Sequence, residues 1–179
     1  MTPSRSDLEA DGWAFSLHLY AQPGVAAACL RLQDEAGVDV MMSLIIVFAA
    51  VRHRVFLTAS EIRELDEACR PWREQIVHPL RAVRRRLKTG PSPAPGSTTG
   101  PFRSTIKAAE LAAERLQTQL LAERLPLRPP ERDAVVPDDI RSVLRSVVTL
   151  ALEELSGKQL SDLLSAIDVI VGAAMQEKC

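Results

Sequence analysis

The sequence contains few of the residues from which common kinds of site are built. Aromatic residues make up 4% of its 179 residues, which disfavours a nucleic-acid surface that stacks bases on aromatic rings. The three cysteines are an odd number without C-x-x-C spacing, so neither a disulfide framework nor a zinc ribbon is expected. Cys29 lies in the apolar run AAACL, and we expect it to be a small core residue.

Several short catalytic and ligand-binding motifs are also missing. The sequence has no G-x-S-x-G elbow, no P-loop and no Rossmann glycine pattern. His18, His53 and His78 are isolated, and no E-x-x-H occurs, which disfavours a metal site of the kind found in helical bundles. We therefore predict no metal and no cofactor, and the sequence favours a protein that is not an enzyme.

Charge of one sign does not dominate either. The formal net charge is −1, so no general attraction to nucleic acid or to an anionic membrane is expected. The N-terminal MTPSRSDLEADGW has acidic residues where a signal peptide needs a basic segment followed by an apolar one. The longest strongly apolar run, Val40 to Val51, is shorter than the roughly 20 residues that span a bilayer. We expect a cytoplasmic protein without a membrane span, and nucleic acid is not an expected partner.

Apolar residues at helical spacing occur along most of the chain. Trp13, Leu17 and Tyr20 share one face of a first predicted helix, and Pro23 and Gly37 bound a second. Similar patterns follow to the end of the chain, and the last two predicted helices form an αα-hairpin. The sequence therefore predicts an all-α fold, an irregular bundle of about seven or eight helices.

Caps and prolines indicate where several of these helices begin or bend. Asp39 is the expected N-cap of a helix over Val40 to Arg52, which is apolar nearly all round and therefore central to the bundle. Thr58-Ala59-Ser60-Glu61 fits a capping box. Pro71 and Pro79 predict a kink or a break, because proline does not donate a hydrogen bond inside a helix.

Residues 89–101, TGPSPAPGSTTGP, carry no charge and no apolar anchor. This composition is typical of a flexible linker. We expect it to separate an N-terminal helical core, residues 1–88, from C-terminal helices, residues 102–179. The C-terminal helices are expected to pack on the core or on a partner chain.

Three blocks of sequence carry a resemblance to a known family. The first contains W-x-F-x-L-x-x-Y from Trp13, P-G-V from Pro23, C-L-x-L-Q-D from Cys29 and G-x-D-V from Gly37. The others are PWREQIVHPLRAVRRRLK, residues 71–88, and AELAAER, residues 109–115. Through these blocks the first 125 residues resemble an uncharacterised domain-of-unknown-function family found largely in proteobacteria. Met41 and Phe48 depart from the asparagine and the tryptophan that are usual in that family. The resemblance implies an all-helical cytoplasmic protein and brings no established activity.

Polar residues around the turn at Gly37 form one candidate binding site. Gln33, Asp34 and Asp39 are close in sequence, and paired carboxylates can act as acid and base or hold a divalent cation. A simpler interpretation places Asp34 at the end of one helix and Asp39 at the cap of the next.

A second candidate lies in the block that begins at Pro71. Trp72 and Arg73 can build a pocket, or Trp72 can anchor a helix while Arg73 forms surface ion pairs. Arg81, Arg84 and Arg85 follow helical spacing and can bind phosphate or an acidic partner. The alternative is a solvated helix end whose cations favour the helix dipole.

These observations lead to two hypotheses about function. The first is a cytoplasmic protein-interaction protein, acting as an adaptor or a regulator, with homodimerisation through residues 137–179 as one form of the interaction. The alternative is an enzyme or small-ligand binder of unrecognised type. Its site would lie between the turn at Gln33–Asp39 and the face that carries Trp72, Arg73 and Arg81.

Overall fold

The computed structural model describes residues 5–90, 96–126, 128–153 and 160–177. These residues form eight α-helices and no strand, which confirms the all-α prediction. The helices are α1 (Arg5–Tyr20), α2 (Val25–Ala36), α3 (Val40–Phe48), α4 (Ala59–Trp72), α5 (His78–Arg86), α6 (Gly96–Arg124), α7 (Pro137–Leu152) and α8 (Leu164–Gln176). A 3₁₀ turn, Leu160–Leu163, leads into α8. Within the described ranges, none of the helices has both the length and the apolar character needed to cross a bilayer.

Two π-helical turns modify this helical frame. One extends α3 through Ala49–His53, and the other, Arg73–Val77, joins α4 to α5. Helix α4 therefore continues past Pro71, and Pro79 lies in the first turn of α5. Pro79 has no N–H to donate to the preceding turn, and the wider π turn accommodates the interruption without a break. The α4–α5 segment is thus one continuous helix from residue 59 to residue 86.

The predicted caps are confirmed at the atomic level. Asp39 Oδ1 accepts the backbone N–H of Met42 at 3.0 Å, which caps α3. Thr58 and Glu61 form both hydrogen bonds of the capping box at the start of α4. Gly37 ends α2 in the left-handed region at φ 68°, a conformation that glycine adopts without steric cost. These local signals fix where the chain turns on either side of α3.

Helix α3 lies at the centre of the bundle, as its uniformly apolar sequence predicts. It packs against α1, α2, α6 and α7, and every residue from Met42 to Phe48 is buried. The rings of Phe15 and Phe48 pack with their centroids 5.6 Å apart. Cys29 is buried in the same core, in agreement with its expected role. A helix enclosed on all sides in this way fixes the positions of its neighbours.

The C-terminal helices pack on the core of their own chain. Helix α7 contacts α3 and α4, helix α8 contacts α2, and the two contact each other as the predicted helix pair. Their apolar faces are buried, through Ile140, Val143, Leu144, Val147 and Val148 on α7 and Ala166, Ile167, Ile170, Val171 and Ala174 on α8. Ser156, Gly157 and the terminal Cys179 lie outside the described residues.

The predicted linker requires a correction at its C-terminal end. Helix α6 begins at Gly96, so residues 96–101 are helical, while residues 91–95 lie outside the described part of the chain. Pro101 stands close to the start of α6, where its missing N–H removes a single bond of the helical ladder. The hydroxyls of Ser104 and Thr105 donate back to the carbonyls of Gly100 and Pro101, at 3.2 and 3.3 Å.

His53 is a half-buried histidine in the π turn after α3. Its imidazole meets the Phe48 ring edge-on, with centroids 4.9 Å apart, and its Nε2 has no hydrogen-bond partner among the described residues. Burial lowers the pKa of His53 below its usual value of 6.5, although the nearby Asp11 carboxylate opposes this effect. The neutral imidazole is therefore the form that the fold favours.

This burial predicts a loss of stability in acid. Because the pKa of His53 is lower in the folded than in the unfolded protein, the stability is fully present above the unfolded pKa and falls as the pH drops towards the folded pKa. His53→Phe is expected to reduce the difference between the free energies of unfolding measured in urea at about pH 7.5 and about pH 5.5. An unchanged difference in the variant would show that His53 does not contribute to it.

Candidate functional site

The two predicted site regions face each other across a cluster of charged side chains. The turn between α2 and α3 meets the α4–α5 segment, and α6 closes the third side. We call the cluster the polar network, which comprises Gln33, Asp39, Asp66, Arg70, Arg73, Arg81, Arg84, Glu110, Glu114 and Gln117. These residues come from α2, the α3 cap, α4, the π turn after it, α5 and α6.

Asp39 connects three of these helices. While its Oδ1 caps α3, its Oδ2 accepts from Arg73 Nη1 at 2.9 Å and also from Gln117 Nε2. The Asp39 side chain is 6% exposed. A carboxylate this deeply buried is stable only when hydrogen bonds and a countercharge replace its hydration. The hydrogen bonds from Met42 and Gln117 and the positive charge of Arg73 supply both.

Arg73 lies between two carboxylates. Its Nη1 donates to Asp39 Oδ2 and, at 2.7 Å, to Asp66 Oδ1. Asp66 Oδ2 in turn accepts from Arg70 Nη2 at 2.5 Å. Burial disfavours the charged guanidinium, but the charges and hydrogen bonds of Asp39 and Asp66 outweigh it and raise the pKa of Arg73. Arg73 is therefore a fixed positive charge, 11% exposed, in the interior of the bundle.

Arg81 and Arg84 form the second half of the polar network with α6. Arg81 donates to Glu110 Oε1 at 2.9 Å, to Gln33 Oε1 at 2.7 Å and to Glu114 Oε1 at 2.7 Å. Arg84 donates to both carboxylate oxygens of Glu110. The ion pairs join α5 to α6, and the hydrogen bond from Arg81 to Gln33 reaches the end of α2.

The two glutamates of this half differ in acidity. Burial acts to raise the pKa of Glu110, but the hydrogen bonds from Arg84 and Arg81 outweigh it and lower the pKa. Burial is also the largest effect on Glu114 and raises its pKa, against the opposing charge of Arg81. Glu110 thus holds its negative charge more firmly, while Glu114 takes up a proton more readily.

Two cavities adjoin the ion pair between Asp39 and Arg73. The smaller has a volume of about 100 Å³ and is lined by network residues, by His78 and by the apolar Val38, Val40, Met41 and Val77. The larger, about 190 Å³, lies towards α7 and is lined by Asp66, Arg70, Met42, Val147, Leu150 and Ala151 among others. Gly37, Asp39 and Arg73 line both. His78 lies beside Arg81 and Arg73. Burial is the largest effect that lowers the pKa of His78, and the positive charges of Arg81 and Arg73 lower it further.

The predicted site residues divide into those that meet and those that do not. Gln33, Asp39, Arg73 and Arg81 all line the smaller cavity, and Arg84 joins the polar network through Glu110. The remaining three occupy other positions. Trp72 Nε1 donates to the carbonyl of Ala113 at 3.0 Å and anchors α4 to α6, while Asp34 and Arg85 form an exposed ion pair at 2.9 Å.

The sequence interpretation missed the acidic and amide residues that complete the network. Asp66, Glu110, Glu114 and Gln117 were not among the candidate residues. A signal was present on α6, because Glu110, Glu114 and Gln117 are four and three residues apart and therefore share a helix face. Their partners lie more than 25 residues away in sequence, and helical spacing does not identify such partners.

The fold and these contacts define an all-helical bundle protein with a buried network of ion pairs where its helices meet. A family model described as a protein of unknown function, DUF2390, matches residues 11–121. The chain belongs to this family, which confirms the resemblance to an uncharacterised family. The match includes every residue of the polar network, from Gln33 to Gln117. Comparisons with curated proteins and with solved structures find no match.

The buried glutamate of the network is expected to be important for stability. Glu110→Gln removes the charge that Arg81 and Arg84 share, so we expect a loss of about 2 kcal/mol in the free energy of unfolding. Asp34→Asn, which removes the partner of the exposed Arg85, is the matched control and should cost about 0.5 kcal/mol or less. Urea unfolding of both variants measures the difference. Equal losses would contradict the structural role of Glu110.

Proposed function

We propose that the protein is an interaction protein, in an adaptor or regulatory role, that docks an acidic amphipathic helix of a partner protein on α5 and the start of α6. The observation that carries this proposal is that α5 contributes no buried residue, although it carries a row of apolar side chains. In a helix that only serves the fold, such a row normally faces the core. Here Leu80 and Leu87 of that row are half-buried, while Ile76 and Val83 are exposed and available to another molecule.

The apolar row continues from the π turn into α5. Ile76, Leu80, Val83 and Leu87 recur at intervals of four, three and four residues, the spacing of a coiled-coil seam. Ile76 is 38% and Val83 43% exposed, and none of the four belongs to the main core. This spacing suits a second helix packed alongside α5.

The charges around this row have one sign. Residues 75–109 contain no acidic residue, and their basic residues are Arg81, Arg84, Arg85, Arg86, Lys88, Arg103 and Lys107. The first three are engaged by carboxylates. Among the described residues, none supplies a carboxylate to Arg86, Lys88, Arg103 or Lys107. Arg103, near the start of α6, donates to the carbonyl of Arg84 at 3.3 Å. This contact places the positive charge of Arg103 next to the end of α5.

We call α5, its apolar row and these four cations the basic surface. A partner helix with acidic residues flanking its apolar stripe matches this surface in both charge and spacing. A second copy of the chain matches less well, because two basic surfaces repel each other. Self-association through residues 137–179 has less support for another reason, since the apolar faces of α7 and α8 are buried in their own bundle.

The other functions considered from the sequence also have less support. Nucleic acid binding usually uses a larger basic area with aromatic side chains, and the start of α6 offers Phe102 alone. Catalysis normally requires an acid or base that is free to exchange a proton with a substrate. The carboxylates of Asp39, Asp66, Glu110 and Glu114 are all engaged by arginine. A cytoplasmic location is part of the proposal, and the family resemblance supports it.

The docking surface can be tested with a defined probe. A synthetic helix of about three heptads, with leucine along its core and glutamate in the flanking positions, should bind the protein in fluorescence anisotropy measurements. Val83→Asp places a negative charge in the apolar row, close to the glutamates of the peptide, and is expected to weaken binding by about tenfold or more. Val169→Asp on α8 replaces a valine of similar exposure, 40%, and should leave binding unchanged.

Three controls separate this proposal from its alternatives. The same peptide with lysine in place of glutamate should not bind. Single-stranded DNA or anionic vesicles that bind as tightly as the acidic peptide would contradict a protein partner. If light scattering shows a dimer that dissociates in the Val169→Asp variant and not in Val83→Asp, self-association through α8 would be favoured instead.

A further inference from the structure

We infer that the cavities beside Arg73 form a binding site for a small monocarboxylate, separate from the basic surface. The site goes beyond partner docking, because its residues lie in the interior of the bundle, between the α2–α3 turn, the π turn after α4, and α6. The inference rests on the hydrogen-bonding state of Arg73, on the charges around it and on the space next to it.

Arg73 has donors that the protein leaves unused. Its hydrogen bonds to Asp39 and Asp66 both come from Nη1, and no other described residue accepts from Nε or Nη2. In the part of the chain that the structure describes, the fully enclosed polar side-chain atoms without a partner are Ser16 Oγ and His53 Nε2. The free nitrogens of Arg73 are therefore not sealed inside the protein, and they retain access to the cavities that Arg73 lines.

A carboxylate fits these free donors. The Nε and Nη2 edge of a guanidinium presents two parallel N–H groups, which match the two oxygens of a carboxylate. A carboxylate that accepts from both forms charge-assisted hydrogen bonds, which are roughly twice as strong as those between neutral groups. Asp39 and Asp66 hold Nη1 and so keep the guanidinium plane in position for such a ligand.

The surrounding charges limit the ligand to a single negative charge. Asp39, Asp66 and Glu114 place three carboxyl groups around the site, against the three guanidinium groups of Arg70, Arg73 and Arg81. The site therefore has no excess of positive charge, and the repulsion from its carboxylates grows with the charge of the ligand. A phosphate dianion is therefore disfavoured relative to a monocarboxylate. Glu114, whose pKa burial raises, lowers this repulsion when it takes up a proton.

The cavity volumes indicate the size of the ligand. The smaller cavity, about 100 Å³, has room for a few heavy atoms, since one water occupies about 30 Å³ in the liquid. The side chains of Val38, Val40, Met41 and Val77 form its apolar wall, which suits a short alkyl group. Acetate, propionate and butyrate cover this range of size.

The experiment titrates the wild-type protein with sodium propionate at constant ionic strength and follows ¹H–¹⁵N NMR spectra, including the arginine Nε–Hε signals. Saturable shifts of the Arg73 Nε–Hε signal and of amides at residues 37–41 are expected. Propionamide has the same shape without the charge and should produce no saturable shift. Saturable binding of inorganic phosphate with affinity equal to that of propionate would overturn the assignment to monocarboxylates.

Two arginine-to-lysine variants locate the site. Arg73→Lys keeps the positive charge between Asp39 and Asp66 but removes the two-nitrogen edge, so the propionate affinity should fall by about tenfold or more. Arg85→Lys, on the exposed part of α5, is the control and should change the affinity by less than about twofold. Equal effects of the two variants, or no saturable shift in the wild-type protein, would overturn the inference. The wild-type titration keeps it testable if Arg73→Lys does not fold.

Discussion

The ion pair between Asp39 and Arg73 holds together parts of the chain that are far apart in sequence. Asp39 caps α3, the central helix, and through its other oxygen it binds the π turn after α4 and also α6. Removing a carboxylate and a guanidinium from water is costly, so the arrangement is stable only because each carboxylate oxygen of Asp39 and Asp66 has a donor. The position of the α4–α5 segment over the core depends on this balance.

The same constraint explains why α5 has an unusual surface. Helices usually attach to a bundle by burying an apolar stripe, whereas α5 is attached to α6 by ion pairs of Arg81 and Arg84 and to α2 by the hydrogen bond from Arg81 to Gln33. Its apolar row contributes no residue to the main core, and Ile76 and Val83 in that row remain exposed. A helix held by charged contacts on one side and apolar on another is suited to bind a partner without rearranging the core.

Local signals in the sequence predicted most of the fold. The Asp39 cap, the capping box at Thr58 and Glu61 and the central position of α3 depend on neighbouring residues and on apolar content, and all are confirmed. The start of α6 was predicted less well, because the glycine and proline content of residues 96–101 indicates low helix propensity while the helix nevertheless extends through them. The π turns were also not predicted, and only the one at Arg73–Val77 is explained by how Pro79 is accommodated within one continuous helix.

The site was predictable only in part, for a physical reason. The sequence identified Gln33, Asp39, Arg73 and Arg81 as candidates and predicted that their two regions meet. It did not identify Glu110, Glu114 or Gln117 as their partners, because the packing of α6 against both regions is a tertiary property. Similarly, the exposure of Ile76 and Val83 depends on which face of α5 meets α6, and periodicity alone does not specify that face.

The most direct test of this account is a double-mutant cycle on Asp39 and Arg73. Asp39→Asn keeps an oxygen to cap α3 while removing the charge, and Arg73→Met keeps much of the side-chain length. If the pair organises the bundle, each single variant should lose about 3 kcal/mol in the free energy of unfolding, and the double variant should lose little more than either. Losses that simply add, with a coupling energy below about 0.5 kcal/mol, would contradict the central role of this ion pair.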